Sequence, residues 1–295
     1  MSLPREILPN SVYLITRRCT QRQFLLRPSR YVNQTFLYCT AVASKRTGVV
    51  VHALEVMSNH YHMVVTDPFA RLPEFLAWLH EFVAKVLNVH LGRWENFWAT
   101  EPTSCVRLMA AEDVLAKVVY TLTNAVAAGL VERGTDWPGL RLFTPGRRSV
   151  RRPAGFFRDD GSMAEVEYLN IAAAPVGAGS EQVLLTAIYA AVRARETVLC
   201  RQRRQQGQKV LGVHGVLAQR PTDVPASLAP RRNLSPRIAC RNKWLRLDAL
   251  SRSVQFLRQY RAAYRAWSAK LTNLLFPAGS YRMRAFAVPV LVAAA

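Results

Sequence analysis

Two apolar runs rich in β-branched residues, 49–57 and 60–66, stand with only Ser58 and Asn59 between them. Strand side chains alternate between faces, and Ser-Asn is turn chemistry, so the two runs form a tight antiparallel hairpin. Asp67-Pro68 stops the second strand. The flanking sequence must build onto this hairpin. Residues 11–18 alternate as a strand, with Val12, Leu14 and Thr16 on one face and Tyr13, Ile15 and Arg17 on the other. Residues 29–46 read as a helix that ends at Lys45-Arg46 before Gly48. After the hairpin, Leu72, Phe75, Leu76, Leu79, Phe82, Val83, Val86 and Leu87 recur at helical spacing. A strand over 104–109 and a helix over 112–130 follow.

The order β-α-β-β-α-β plus a helix predicts an α+β fold. The expected form is a ferredoxin-like antiparallel sheet covered by helices, with a different mixed sheet as the alternative. Residues 134–180 change character: Gly134, Pro138, Gly139, Pro145, Gly146, Pro153 and Gly155 are interleaved with basic pairs, which reads as an irregular connector. Residues 181–204 and 241–275 read as helices, separated by a proline-rich loop over 221–236. The expected organisation is an α+β unit over 1–140, a connector over 141–180 and a basic, mainly helical extension over 181–295.

Charge narrows the partners. The 295 residues carry 40 Lys and Arg against 19 Asp and Glu, a net of +21. The excess is only +4 in residues 1–145 and +17 in the remainder, so the second half supplies most of the attraction to a polyanion. Arginine dominates there, and its planar fork suits phosphate oxygens and base edges. Half the residues are hydrophobic, which argues against wholesale disorder. Five scattered cysteines without a CxxC pair argue against a zinc ribbon or a disulfide framework. The first ten residues lack the apolar core of a signal peptide, and the apolar tail over 285–295 is too short to span a bilayer. A cytoplasmic protein without membrane attachment is expected.

Chemistry concentrates at two places. His60-Tyr61-His62 puts two imidazoles on one strand face, half of a metal site or a pair of exposed strand histidines. On the helix from 112, Leu115, Val118, Val119, Leu122 and Val126 form the apolar stripe. Tyr120 and Asn124 lie one turn apart on another flank, able to face a common site or simply solvent.

The run Val56-Met57-Ser58-Asn59-His60-Tyr61-His62-Met63-Val64-Val65 resembles the "M-(P/S)-N-H-hydrophobic-H-hydrophobic" signature of single-tyrosine HUH transposases. Tyr120-Thr-Leu-Thr-Asn124-Ala-Val-Ala-Ala-Gly129-Leu-Val resembles their "Y-x-x-x-N-P-V-x-A-G-L-V" helix. The nearest branch is the REP-associated tyrosine transposases, relatives of insertion-sequence transposases, and the resemblance covers roughly residues 10–140. It implies a divalent metal, Mg or Mn, on His60, His62 and Asn124. It implies Tyr120 as the nucleophile that cleaves single-stranded or hairpin DNA through a 5′-phosphotyrosine, in DNA transposition or repeat mobilisation. A bacterial cytoplasm or nucleoid is the implied setting, and the family includes both monomers and homodimers. Arg17, Arg18, Arg231, Arg232, Arg237, Arg241 and Lys243 are expected to bind DNA, with 231–246 as the main phosphate-contacting stretch. Trp94, Trp98 and Phe156-Phe157-Arg158 are candidates for stacking on bases. Lys117, one turn before Tyr120, is a candidate for lowering the phenol's pKa. Ala125 stands where the family commonly has proline, and the Arg-Phe pair often found after the tryptophan equivalent to Trp98 is missing. Two alternatives stand beside this reading. One is a catalytically inactive single-stranded nucleic-acid-binding protein derived from a transposase. The other is a metal hydrolase using His60 and His62 with a bound water, for which Glu55 is left open as a further ligand.

Overall fold

A computed structural model describes residues 4–156, 163–227, 236–271, 274–286 and 288–291. Four central strands follow the expected order: β1 (Ser11–Arg18), β2 (Val50–Val56), β3 (His60–Asp67) and β4 (Ser104–Leu108). Helix α1 (Arg30–Thr47) joins β1 to β2, and α2 (Leu72–His90) joins β3 to β4. The central strands lie in the spatial order β2-β3-β1-β4, with every pairing among them antiparallel. Helix α1 starts where Ser29 accepts from the Val32 N–H and stops at Gly48, whose φ of 75° only glycine adopts without strain.

Alternation sorts the central strands into two faces. Tyr13, Ile15, Tyr61, Met63 and Val65 pack beneath α1 and α2, against Phe36, Cys39, Phe75, Leu79 and Val83. Leu14, Val64, Val106 and Leu108 face the other way, onto Val114, Val118 and Leu122 of α3 (Ala111–Leu122). A bulge in β2 corrects the phase of that strand. The register against β3 jumps from Val51↔Val65 to Ala53↔Val64, with His52 as the extra residue. Unbroken pairing would set Glu55 opposite Tyr61, in the apolar core. The bulge sets it opposite His62 instead.

The sheet extends beyond the expected one. The segment read as an irregular connector holds β5 (Arg141–Leu142), β6 (Gly146–Arg151) and β7 (Val166–Ile171). Strands β6 and β7 pair antiparallel, and β7 adds to β2 in parallel. At the opposite edge β8 (Ile238–Ala239) adds to β4 in parallel. The complete sheet has eight strands and is mixed, which corrects the purely antiparallel expectation. Strand β7 escaped notice because its buried residues, Glu167, Leu169 and Ile171, include a carboxylate, held at the edge by Lys45 at 3.0 Å.

Helix α4 (Asn124–Ala127) follows α3 after a break at Thr123. Beyond the sheet lie α5 (Glu181–Gln205), α6 (Gly212–Ala218), α7 (Lys243–Ser268) and α8 (Tyr281–Ala285). Helix α5 does not stand apart as an extension: its Ile188 and Val192 complete the core beneath α3. Among the described residues no helix is long and apolar enough to cross a membrane.

The bulge residue also makes stability pH-dependent. His52 Nδ1 donates to the Ala172 carbonyl at 3.2 Å, and Nε2 accepts from Thr66 Oγ1 at 2.7 Å. Burial holds this imidazole below its ordinary range, with the Ala172 carbonyl pulling the other way. The unfolded chain therefore binds the proton more tightly than the fold does. The contribution to stability is complete above the unfolded-state pKa, about 6.5, and is lost as pH falls from there toward the folded-state value. Thermal melts across that window should show a falling Tm, and His52→Gln should make the fall shallower. An unchanged slope in the variant would clear His52 of the effect.

Candidate active site

His60 and His62 project from the same face of β3, ring centroids 4.8 Å apart. Tyr61 points the opposite way, its hydroxyl bonded to His80 Nε2 at 2.6 Å. Each paired imidazole is held by its Nδ1. His60 Nδ1 donates to Asn59 Oδ1 at 2.7 Å, and His62 Nδ1 shares a hydrogen bond with Thr16 Oγ1 at 2.7 Å. Thr16 meets His62 because β1 and β3 pair those two residues directly. The Asn59 bond fixes the His60 tautomer with Nε2 as the lone-pair nitrogen, and Thr16 orients the His62 ring. His62 Nε2 is buried and has no hydrogen-bond partner among the described residues. Desolvation pushes His60 down to about 4, with Arg18 and Arg22 adding to it and Asn124 opposing. Burial, His60 and Lys117 hold His62 well below its usual value. Both rings are therefore neutral at physiological pH, the form that ligates metal.

Tyr120 stands over this pair. Its ring centroid is 4.9 Å from that of His62, yet 46 % of the residue is exposed. Asn124, one turn on, lies within hydrogen-bonding reach of both the His60 ring and the Tyr120 hydroxyl. Burial raises the phenol's pKa, with Asn124 opposing. The Lys117 ammonium sits 5.6 Å from the Tyr120 ring centroid, over the ring. The suggested lowering of the phenol by Lys117 is thus overridden: the net shift is upward.

The break between α3 and α4 sets where Asn124 stands. The Thr123 hydroxyl donates to the Val119 carbonyl, and Thr123 leaves helical geometry with φ −109° and ψ 10°. The backbone N–H groups of Asn124 and Ala125 turn to the carboxyl of buried Glu55, with Ala125 N–H to Oε2 at 3.4 Å. A proline at 125 has no N–H and could not make this bond, so alanine there suits a carboxyl at 55. Arg141 Nε approaches Glu55 Oε1 at 3.5 Å. Burial pushes Glu55 up to about 8, against the pull of Arg141. At the other end of α4, Arg203 of α5 donates to the Val126 carbonyl, and Gly129 ends the turn at φ 71°. Ala125 and Val126 are buried with Met57, Trp137 and Val216. Glu55 is bound to backbone here, rather than serving as the further ligand that the hydrolase alternative left open for it.

The remaining candidates divide. Arg18 is exposed and pairs with His60 across β1 and β3, so it lies on the rim of the site. Arg22, which the sequence did not single out, also acts on His60. It follows β1 in a turn with positive φ, which no spacing rule announces. Arg17 projects to the opposite face, where it bonds His80 Nδ1 at 2.8 Å and Thr103 Oγ1 at 3.1 Å and lies 5.4 Å from the Trp98 ring centroid. Adjacent strand residues face opposite ways, so Arg17 and Arg18 do not share the face that carries His60 and His62. Trp98 and Phe156 are core residues, with the Trp98 indole donating to the His80 carbonyl at 2.9 Å, so stacking on bases is not their use. Trp94 is 90 % exposed. Arg237 donates to the Pro4 carbonyl, while Arg241 and Lys243 are exposed at the start of α7. Arg231, Arg232, Phe157 and Arg158 lie outside the described residues. Among the described residues no three His, Cys, Asp or Glu side chains cluster as metal ligands, and the Asn124 carboxamide is a further polar group within reach of the His60 ring.

Comparison with known proteins found no matching family model and no match among curated proteins. Among solved structures the chain is similar to a REP-associated tyrosine transposase bound to a REP hairpin. Identity is 19 %, over 47 % of this chain and 81 % of that one, with a TM-score of 0.37. It is also similar to a protein of Deinococcus radiodurans R1 assigned to the transposases, with 20 % identity over 36 % of this chain and 85 % of that one, and a TM-score of 0.29.

Proposed function

We propose that this protein is a metal-dependent DNA strand transferase of the transposase type, using Tyr120 to cleave single-stranded or hairpin DNA. The observation that carries the reading is the half-exposed Tyr120 ring beside His62, whose buried Nε2 has no partner among the described residues. A buried nitrogen left unmet costs stability unless a ligand meets it. Two Nε2 lone pairs and the Asn124 carboxamide form a donor set that suits Mn better than Mg, which prefers oxygen throughout. The ion would supply charge neutralisation at the scissile phosphate.

Tyr120 Oη attacks phosphorus, the P–O3′ bond breaks, and a 5′-phosphotyrosine forms. The phenol's proton is lost to solvent and a proton returns to the leaving 3′ oxygen. Arg18, Arg22 and Lys117 hold the phosphate backbone at the rim. Asn124 orients the phenol. The four central strands with α1 and α2 over one face are read as the ferredoxin-like unit of such an enzyme, and each chain carries its own tyrosine and imidazoles.

The test is manganese binding followed by hairpin cleavage. Calorimetry on Tyr120→Phe protein should find one Mn site. Thr16→Val, which removes the hydroxyl orienting His62, should weaken it by about 10–100-fold. Unaltered manganese affinity in Thr16→Val and in His62→Ala would remove the metal from the pair.

A further inference from the structure

Away from Tyr120, a cleft of about 830 Å³ opens between the N-terminal segment, the start of α2, β4, α7 and α8. It lies on the α1/α2 side of the sheet, where Leu72, Leu76 and Cys105 of its wall belong to the main core. The tyrosine helix covers the other face. Five arginines line the cleft: Arg5, Arg237, Arg261, Arg265 and Arg282. No Asp or Glu lines it. Two carboxylates lie close by: Glu6 pairs with Arg107, and Glu74 pairs with Arg71 and bonds the Tyr281 hydroxyl at the edge of the cleft. Among the described residues no carboxylate forms an ion pair with any of the five. Arg237 and Arg5 oppose one another closely enough that burial and the like charge together hold the Arg237 guanidinium below its ordinary range. Like charges gathered in one partly dry cleft await an anion.

The cleft is also aromatic. Tyr260 and Tyr264, one turn apart on α7, hold their rings nearly parallel at 11° and 6.2 Å between centroids; Tyr260 is buried against Phe276 and backs the half-buried Tyr264. Arg261 and Arg265 repeat the same one-turn spacing beside them, so a row of rings runs next to a row of guanidiniums. Tyr281 lines the cleft from α8. Ser280, 2 % exposed, also lines it, and its hydroxyl has no partner among the described residues.

We infer that this cleft is a second nucleic-acid site, which takes a short unpaired DNA segment with its phosphates on Arg261 and Arg265 and its bases against Tyr264. Rings and guanidiniums in adjacent rows match the alternation of bases and phosphates along a single strand. The inference extends the proposed cleavage of unpaired DNA, giving the strand a hold remote from Tyr120.

The test is fluorescence anisotropy of the full chain with a labelled oligothymidylate of about ten nucleotides, without metal, across a salt series. Arg261→Ala/Arg265→Ala should weaken binding at least about tenfold and lower the salt slope by about 1.4, two phosphate contacts at 0.7 each. Arg261→Lys/Arg265→Lys should restore the slope. Tyr264→Ala should cost at least about fivefold with the slope unchanged. Arg252→Ala, on the same helix but paired with Asp248 outside the cleft, should change nothing. Wild-type affinity and slope in the double alanine variant would overturn the inference, as would tighter binding of an oligouridylate of equal length. Cleavage is scored separately with hairpin DNA and manganese. Absence of a Tyr120 adduct alongside arginine-dependent binding would sink the nuclease reading and leave the cleft standing. The reverse pattern would sink the cleft alone.

Discussion

Tyr120→Phe is expected to abolish the covalent protein–DNA adduct, a loss on the order of 10³-fold or more, while hairpin binding stays nearly intact. The phenol oxygen is the only atom removed. The phenyl ring keeps its place beside His62, and at 46 % exposure the substitution should change stability by no more than about 0.5 kcal/mol. Arg18 and Lys117, proposed above as phosphate contacts, are unchanged in the variant. Denaturing gels with labelled hairpin DNA read the adduct, and anisotropy reads the binding. Equal adduct yield in the variant would take Tyr120 out of the mechanism.

The second large effect is expected at Glu55. Its carboxyl meets two backbone N–H groups where the tyrosine helix breaks, and Arg141 lies beside it. Glu55→Leu leaves both N–H groups buried and unmet, at about 1–3 kcal/mol each. The cost should be about 3–5 kcal/mol, a large part of a typical domain's stability. With burial pushing Glu55 up to about 8, the carboxyl is largely protonated at neutral pH, so Glu55→Gln is a close mimic. Gln should cost only about 1 kcal/mol in urea unfolding and retain adduct formation. Because Asn124 and Tyr120 flank the break, folded Glu55→Leu protein should form adduct more slowly even after correction for the unfolded fraction. Equal stability of the Leu and Gln variants would remove Glu55 as the anchor of α4.

Period-2 and period-3.6 patterns were enough to read the four central strands and the two helices over them, because those elements bury a regular face. The same alternation sent both imidazoles to one side and Tyr61 to the other. The β6–β7 pair was not legible, since β6 is polar at nearly every position and β7 buries a carboxylate at alternate phase with leucine and isoleucine. Glu55's position depends on a single inserted residue in β2, and no periodicity reports a bulge. The helix over 112–130 looked continuous because its break comes from a Thr123 hydroxyl and a carboxyl 70 residues earlier in the chain. Local patterns carry no record of such partners. Arg17 and Arg18 were grouped by charge, yet adjacent strand residues face opposite ways.

The most direct measurement is mass spectrometry of the protein after incubation with hairpin DNA and manganese, followed by nuclease and protease digestion. A nucleotide esterified to the Tyr120 oxygen is predicted, with none in His62→Ala or in the presence of chelator. Uncut DNA at saturating manganese, or a nucleotide carried by any other residue, would contradict the account.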